Sequence, residues 1–244
     1  MSNVISSQFF KARKLKSVHF SIITGFCFAV FIVLMTKAFG DNEQAPITGM
    51  SMFDALSQSF IYLFLVVFAN NILSADWTSS SVKQILGKGT NRVKYCIGSM
   101  IVAGILTFIY AVFMQGTGFL FGCVLGNGVG AVLDNFWLIF VGYLLIAFNF
   151  VSIIMFLYCF IKKSAAVIMI VSFLPIVSDL TASILLATTN NENVAFVSYF
   201  KLMEDVIHLN PDSTQSVISY IILGAITIIF AAASVLTFRK EDIN

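Results

Sequence analysis

Polar and apolar residues come in blocks along this chain rather than in alternation. Six apolar stretches, at residues 18–39, 53–75, 96–121, 135–161, 164–187 and 217–238, are separated by short segments that hold nearly all of the charge. The hydrocarbon core of a bilayer, about 30 Å thick, takes roughly 20 apolar residues per helical crossing. Six transmembrane helices are therefore expected. The first stretch is too long for a signal-peptide core and lacks a small-residue cleavage site, so it reads as a retained span.

Shorter amphipathic patterns lie between these blocks. Near the start, Val4, Ile5, Phe9, Ala12 and Leu15 share one arc of a helical wheel, with Lys16 intruding on it. That pattern predicts an interfacial helix whose basic residues are drawn to anionic headgroups. In the segment 76–95, Ser79 or Ser80 can cap a helix over 81–86 and Gly87 can end it, presenting Val82, Ile85 and Leu86 beside Lys83 and Lys88. Thr90 then caps the third span and Asp134 the fourth. In the segment 188–216, Phe196, Phe200, Met203 and Ile207 form a stripe opposite Ser198, Lys201, Asp205 and His208, and Asn210-Pro211 closes it. It reads as an amphipathic helix at the outer membrane surface, over the mouth of the bundle or packed against it. Six glycines fall between Gly116 and Gly130. Gly122, Gly126 and Gly130 repeat every four residues, which suits either a close helix–helix contact or a bend or loop.

Composition sharpens this picture. Hydrophobic residues make up 59% of the 244 and charged residues 11%, with a mean hydropathy of +0.94. Soluble domains carry about 25% charged residues, so too few polar side chains exist here to coat a water-soluble globule. The fold class is all-α and integral to a membrane, in one domain over 1–244, since no Pro-, Gly- or Ser-rich linker divides it. Twelve of the 14 Lys and Arg fall on one side of the six-span layout, leaving Lys37 and Lys201 on the other. By the positive-inside rule both termini then lie in the cytoplasm, as expected for a multi-pass plasma-membrane protein. The four cysteines show no paired spacing, so neither a disulfide framework nor a zinc site is expected.

Candidate chemistry is sparse. Asp179 follows Pro175 in span five, about 22 Å along that helix from Ser164. It is either an intramembrane functional carboxylate or an aspartate already at the outer interface. Asn149, in the middle of span four, suits an interhelical hydrogen bond better than a substrate contact. Glu204, Asp205 and His208 have spacing that can hold a cation, but with no second histidine nearby a solvated face is the plainer reading. Gly87-Lys88-Gly89-Thr90 lacks the spacing of a phosphate-cradling loop, and no strand precedes it. No nucleotide, metal or other cofactor site is expected in this chain.

Asp76-Trp77, then Ser80-Ser81-Val82-Lys83-Gln84-Ile85-Leu86, then Gly89-Thr90-Asn91-Arg92, resembles the loop of ABC type-2 transporter permeases. Ser80-Ser81 stands where that pattern usually has Gly-Thr. The ending Phe238-Arg239-Lys240-Glu241-Asp242-Ile243 is similar to the terminal motif of the same family. The resemblance implies that residues 81–86, through Val82, Lys83, Ile85 and Leu86, form a coupling helix that docks into a separate soluble ATPase subunit. ATP and Mg would be bound by that subunit. It further implies a second permease, either another copy in a homodimer or a similar chain, and export of a hydrophobic or amphipathic cargo such as a peptide or antimicrobial. The lipid bilayer is an expected partner and nucleic acid is not.

Two other function classes bear weighing. An ion- or proton-coupled secondary transporter needs carboxylates near the midplane, and Asp179 alone is a candidate. An intramembrane enzyme needs a constellation that His19, His208 and the scattered cysteines do not form in sequence.

Overall fold

The computed structural model describes residues 2–39, 47–58, 61–78, 82, 91–130, 136–189, 192–207 and 214–240. Among them every regular element is helical: α1 (Ser2–Lys14), α2 (Lys16–Phe39), α3 (Gly49–Gln58), α4 (Ile61–Thr78), α5 (Arg92–Leu125), α6 (Phe136–Tyr158), α7 (Ser164–Thr189), a 3-10 turn (Glu192–Val197), α8 (Tyr199–Ile207) and α9 (Thr214–Lys240). The all-α expectation holds. Helices α2, α5, α6, α7 and α9 are each long and apolar enough to cross a membrane, and the protein is a multi-pass membrane protein. The expected caps Ser79, Ser80 and Asp134, the stop at Gly87 and the close at Asn210-Pro211 lie outside the described residues.

The second expected span, 53–75, is not one straight helix. Helices α3 and α4 meet at 64°. Helix α3 also begins earlier than expected, because Thr48 and Ser51 cap each other: the Ser51 amide donates to Thr48 Oγ1 at 3.2 Å and the Thr48 amide to Ser51 Oγ at 2.8 Å. This reciprocal arrangement is a capping box. Its position is then fixed by the turn after α5, where the amides of Gly49 and Met50 donate to the carbonyls of Gly128 and Val129 at 2.9 and 3.0 Å.

The glycine row explains why α3 lies there. Helix α5 runs through Gly118 and Gly122 and stops at Leu125, with Gly126 as its C-cap. A Cβ on Gly122 would stand 2.9 Å from the Thr48 carbonyl oxygen, and one on Gly126 2.3 Å from that of Ile47. The row is thus both a close contact and a turn. Its helical half seats α3, and its last members, Gly128 and Gly130, take positive φ values of 86° and 80°. Residues with side chains rarely adopt such angles.

Helix α5 is the central post, packed against α1, α2, α3, α4, α6 and α9. Its 34 residues extend about 50 Å, more than the hydrocarbon thickness requires. Its N-cap is Asn91, whose side chain accepts from the amides of Val93 and Lys94. Thr90, the expected cap, lies outside the described residues. Helices α2, α7 and α9 stand at the periphery and leave large side chains bare, among them Phe20, Phe31, Phe173, Leu180, Ile221 and Ile228.

One end of the bundle gathers α1, the end of α4, the starts of α5 and α7, and the ends of α6 and α9. Trp77 stacks on Tyr158 with ring centroids 5.8 Å apart and meets Phe238 edge-on at 5.6 Å, while Tyr95 stacks on Phe238 at 6.0 Å. Arg92, Lys94, Lys162, Lys163 and Arg239 share this end with the basic residues of α1. At the opposite end, Lys37 Nζ donates to the Leu125 carbonyl at 2.8 Å.

Candidate functional site

Two buried polar clusters stand out in this apolar bundle. The first lies at the basic end. Asp76 is only 2% exposed, yet it occupies the last turn of α4, where the helix dipole disfavours an anion. Helix α1 compensates. Gln8 Nε2 donates to Asp76 Oδ2 at 3.0 Å, and Lys11 Nζ forms an ion pair with Oδ1. Helix α1 itself packs on α5, where Val4 Cγ1 would stand 2.9 Å from a Cβ on Gly98. The arc expected to face the membrane is therefore rotated. Ala12 and Gln8 are buried, whereas Phe9 lies at the surface.

Just beyond, Val82 is 3% exposed and belongs to the main hydrophobic core. The patch expected to be raised on the surface thus has Val82 turned into the bundle, because an apolar residue this close to the core gains more from burial than from exposure. Lys83, Ile85 and Leu86 lie outside the described residues.

The second cluster is centred on Asn149 of α6, which is fully buried. Its Nδ2 donates to Thr227 Oγ1 at 2.9 Å and to the Leu223 carbonyl at 3.4 Å, both on α9. Its Oδ1 accepts from the Tyr199 hydroxyl. Burial pushes the Tyr199 phenol well above its ordinary range, so it stays a neutral donor. Asn149 is the interhelical hydrogen-bonding residue its position suggested, and its third partner comes from α8.

Of the two placements expected for α8, over the mouth of the bundle or packed against it, the helix takes the second. It is wedged among α6, α7 and α9, so closely that a Cβ on Gly142 would stand 2.5 Å from the Val206 carbonyl oxygen. Asp205, expected on a solvated face, is buried instead. It accepts from Ser219 Oγ at 2.7 Å and pairs with Lys201 Nζ at 2.8 Å. The hydrogen bond to Asp205 holds the Lys201 amine above its ordinary range. Because α8 packs on three helices, its polar side must find partners in the protein rather than in water. Of the triplet weighed as a cation site, Asp205 is thus engaged, Glu204 is exposed and His208 lies outside the described residues.

Asp179 is exposed in the second half of α7 and accepts from Ser198 Oγ at 2.7 Å. The neighbouring Ser178 Oγ accepts the Tyr199 amide at 3.0 Å. Together these two contacts hold the start of α8 against α7. Helix α7 continues through Pro175, with Ser178 Oγ donating to the Pro175 carbonyl at 2.8 Å.

The structure joins Asn149 and Asp179 through the start of α8, by way of the adjacent residues Tyr199 and Ser198, and keeps Val82 at the other end with Asp76. Gln8, Lys11, Tyr199, Thr227 and Ser219 had no flag in the sequence beyond being polar residues in apolar surroundings. All of these groups are neutral or paired, so the clusters act by holding helices together. No curated protein matches the chain. Residues 3–244 match a family model described as "Protein of unknown function (DUF2705)", and over so much of its length the chain belongs to that family.

Proposed function

We propose that this chain is the membrane-spanning permease subunit of an ATP-binding cassette transporter, seated in the plasma membrane with both termini in the cytoplasm. It exports a hydrophobic or amphipathic cargo, a peptide or antimicrobial by analogy, and works with a second copy of itself. The ATPase, with its ATP and Mg, is a separate soluble subunit that docks on residues 83–90 through Ile85 and Leu86.

The observation that carries this reading is the way the ends of that loop are held. Asp76 is bound by Gln8 and Lys11, Val82 is buried in the core, and Asn91 caps α5. A push on residues 83–90 is thereby delivered to α1, α4 and the central α5 together. Support also comes from the family-like motif at 76–92 and from the basic residues gathered at this end, which the positive-inside rule assigns to the cytoplasm. Val82 serves here as an anchor to the bundle, and the proposed contacts with the partner fall to Lys83, Ile85 and Leu86.

The test is co-purification with a soluble ATPase. Truncating buried interface anchors costs about 2 kcal/mol or more, so Ile85→Ala with Leu86→Ala should lose the ATPase and abolish export while leaving membrane insertion intact. Lys88→Ala should change little. A double variant that still captures its ATPase and exports normally would overturn the proposal.

A further inference from the structure

A groove of about 660 Å³ runs between α1, α2, α4 and α5. Its walls are apolar: Phe9 and Phe10 at the mouth, then Val18 and Ile22 on α2, Phe68 on α4, and Leu106, Ile109 and Phe113 on α5. The stretch from Leu106 to Phe113 carries it about 10 Å along α5, away from the basic end. Tyr110, also in the wall, has its hydroxyl turned away to donate to the Ser21 carbonyl at 2.9 Å. Its remaining lining residues with charge-bearing side chains are Arg13 and His19, both at the α1–α2 junction.

The two sides of α1 divide their labour. Gln8 and Lys11 turn inward and are consumed by Asp76. Arg13 turns to the groove and has no ion-pair partner among the described residues. The result is an apolar slot with Arg13 in its lining, a positive charge that none of the described residues pairs.

We infer that this groove is a binding site for one anionic phospholipid, with an acyl chain laid along Leu106–Phe113 and its phosphate held by Arg13 and His19. Charge complementarity selects this occupant. Within a bilayer an apolar slot does not distinguish one acyl chain from another by hydrophobicity, so the preference must come from the head. There a guanidinium makes paired hydrogen bonds to phosphate oxygens, and the net negative headgroup adds long-range attraction. A second copy of the chain would instead have to bury Arg13 against an acidic residue of its own.

The site is testable without reference to transport. The full chain, purified in mild detergent, is mixed with equal amounts of phosphatidylglycerol and phosphatidylcholine bearing the same acyl chains, and retained lipids are counted by native mass spectrometry. One phosphatidylglycerol per chain should be kept in preference to phosphatidylcholine. Arg13→Gln should lower that preference about fivefold, the worth of one basic group near an anionic surface, and Arg13→Lys should retain most of it. Ile109→Trp, at a 54% exposed position, should fill the slot and reduce retention of both lipids. Arg239→Gln, at the same end but outside the groove, should leave the ratio unchanged. Equal retention of the two lipids by the unaltered chain would overturn the inference. So would an Arg239→Gln effect as large as that of Arg13→Gln, which would mean a diffuse surface field, or disulfide cross-linking of Ile109→Cys between two copies.

Discussion

Asp76 and Asn149 are both polar side chains in surroundings that solvate them poorly, but they answer the problem differently. Asp76 brings a charge and needs an opposite one. Removing a single member of a buried ion pair costs about 3–5 kcal/mol, whereas replacing both by apolar residues is often far cheaper. Lys11→Met alone should therefore destabilise the chain more than Lys11→Met combined with Asp76→Leu, in thermal unfolding monitored in detergent. A double variant as weak as the sum of the singles would show that the pair is not coupled. Asn149 brings no charge, and its bonds belong to the range measured within membranes, about 0.6 kcal/mol on average. Tyr199→Phe should thus cost about 1 kcal/mol or less, and Asn149→Leu more, since it strands the Tyr199 hydroxyl, while Thr227 keeps its own bond to the Leu223 carbonyl. At this scale the sequence was only partly legible. Asn149 announced itself as a lone amide in an apolar run, and Asp179 as a carboxylate near a span end. Their partners did not, because Tyr199 and Ser198 reach them from an element whose docking no local pattern encodes.

Elements in lipid meet where side chains are small, and two glycines let that rule be tested by rank. A methyl group added to Gly142 on α6 would stand 2.5 Å from backbone of α8, while one added to Gly116 on α5 would meet nothing within 4 Å. Backbone cannot step aside as a side-chain tip can, so Gly142→Ala should cost about 1–3 kcal/mol through overpacking. Gly116→Ala should be neutral or slightly stabilising, as alanine favours a helix. Equal melting temperatures for the two variants would mean that α8 is not seated on α6. The long helices were readable from apolar run length alone, since backbone in lipid has few other ways to satisfy its hydrogen bonds. The break between α3 and α4 was not, because residues 53–75 contain neither Pro nor Gly. What sets the angle is the glycine row on α5, far away in sequence. Thr48-x-x-Ser51 was the local clue, a capping box that starts a helix before the expected span. Helix α8 was legible as an amphipathic stripe packed against the bundle, but the burial of Asp205 on its polar side was not, since a stripe shows which side is apolar and not how many neighbours cover the other.

For the whole molecule, the orientation proposed from charge makes a direct prediction. In a background lacking the native cysteines, Val129→Cys should react with an impermeant thiol reagent added outside intact cells, and Lys162→Cys only after the membrane is opened. Both positions are exposed. The native Cys96 and Cys159 are buried and would report neither side. Labelling of Lys162→Cys from outside would invert the proposed topology and with it the cytoplasmic docking of an ATPase. The charge pattern was legible at this scale because the chain reverses at each span, so alternate segments fall at the same end. The apolar faces of α2, α7 and α9 left bare were not, since apolar run length does not reveal which side of a helix meets protein.

The tie between α1 and α4 also has a meaning in time. Lys11 and Asp76 are 65 residues apart, and ribosomes add about 5–20 residues per second. Once Lys11 has been made, about 3–13 s pass before its carboxylate exists. During that interval Lys11 lacks the carboxylate that holds it in the finished fold, and α1 cannot yet take its place. The docking of α1 therefore waits on chain made much later, first Asp76 on α4 and then the α5 surface at Gly98.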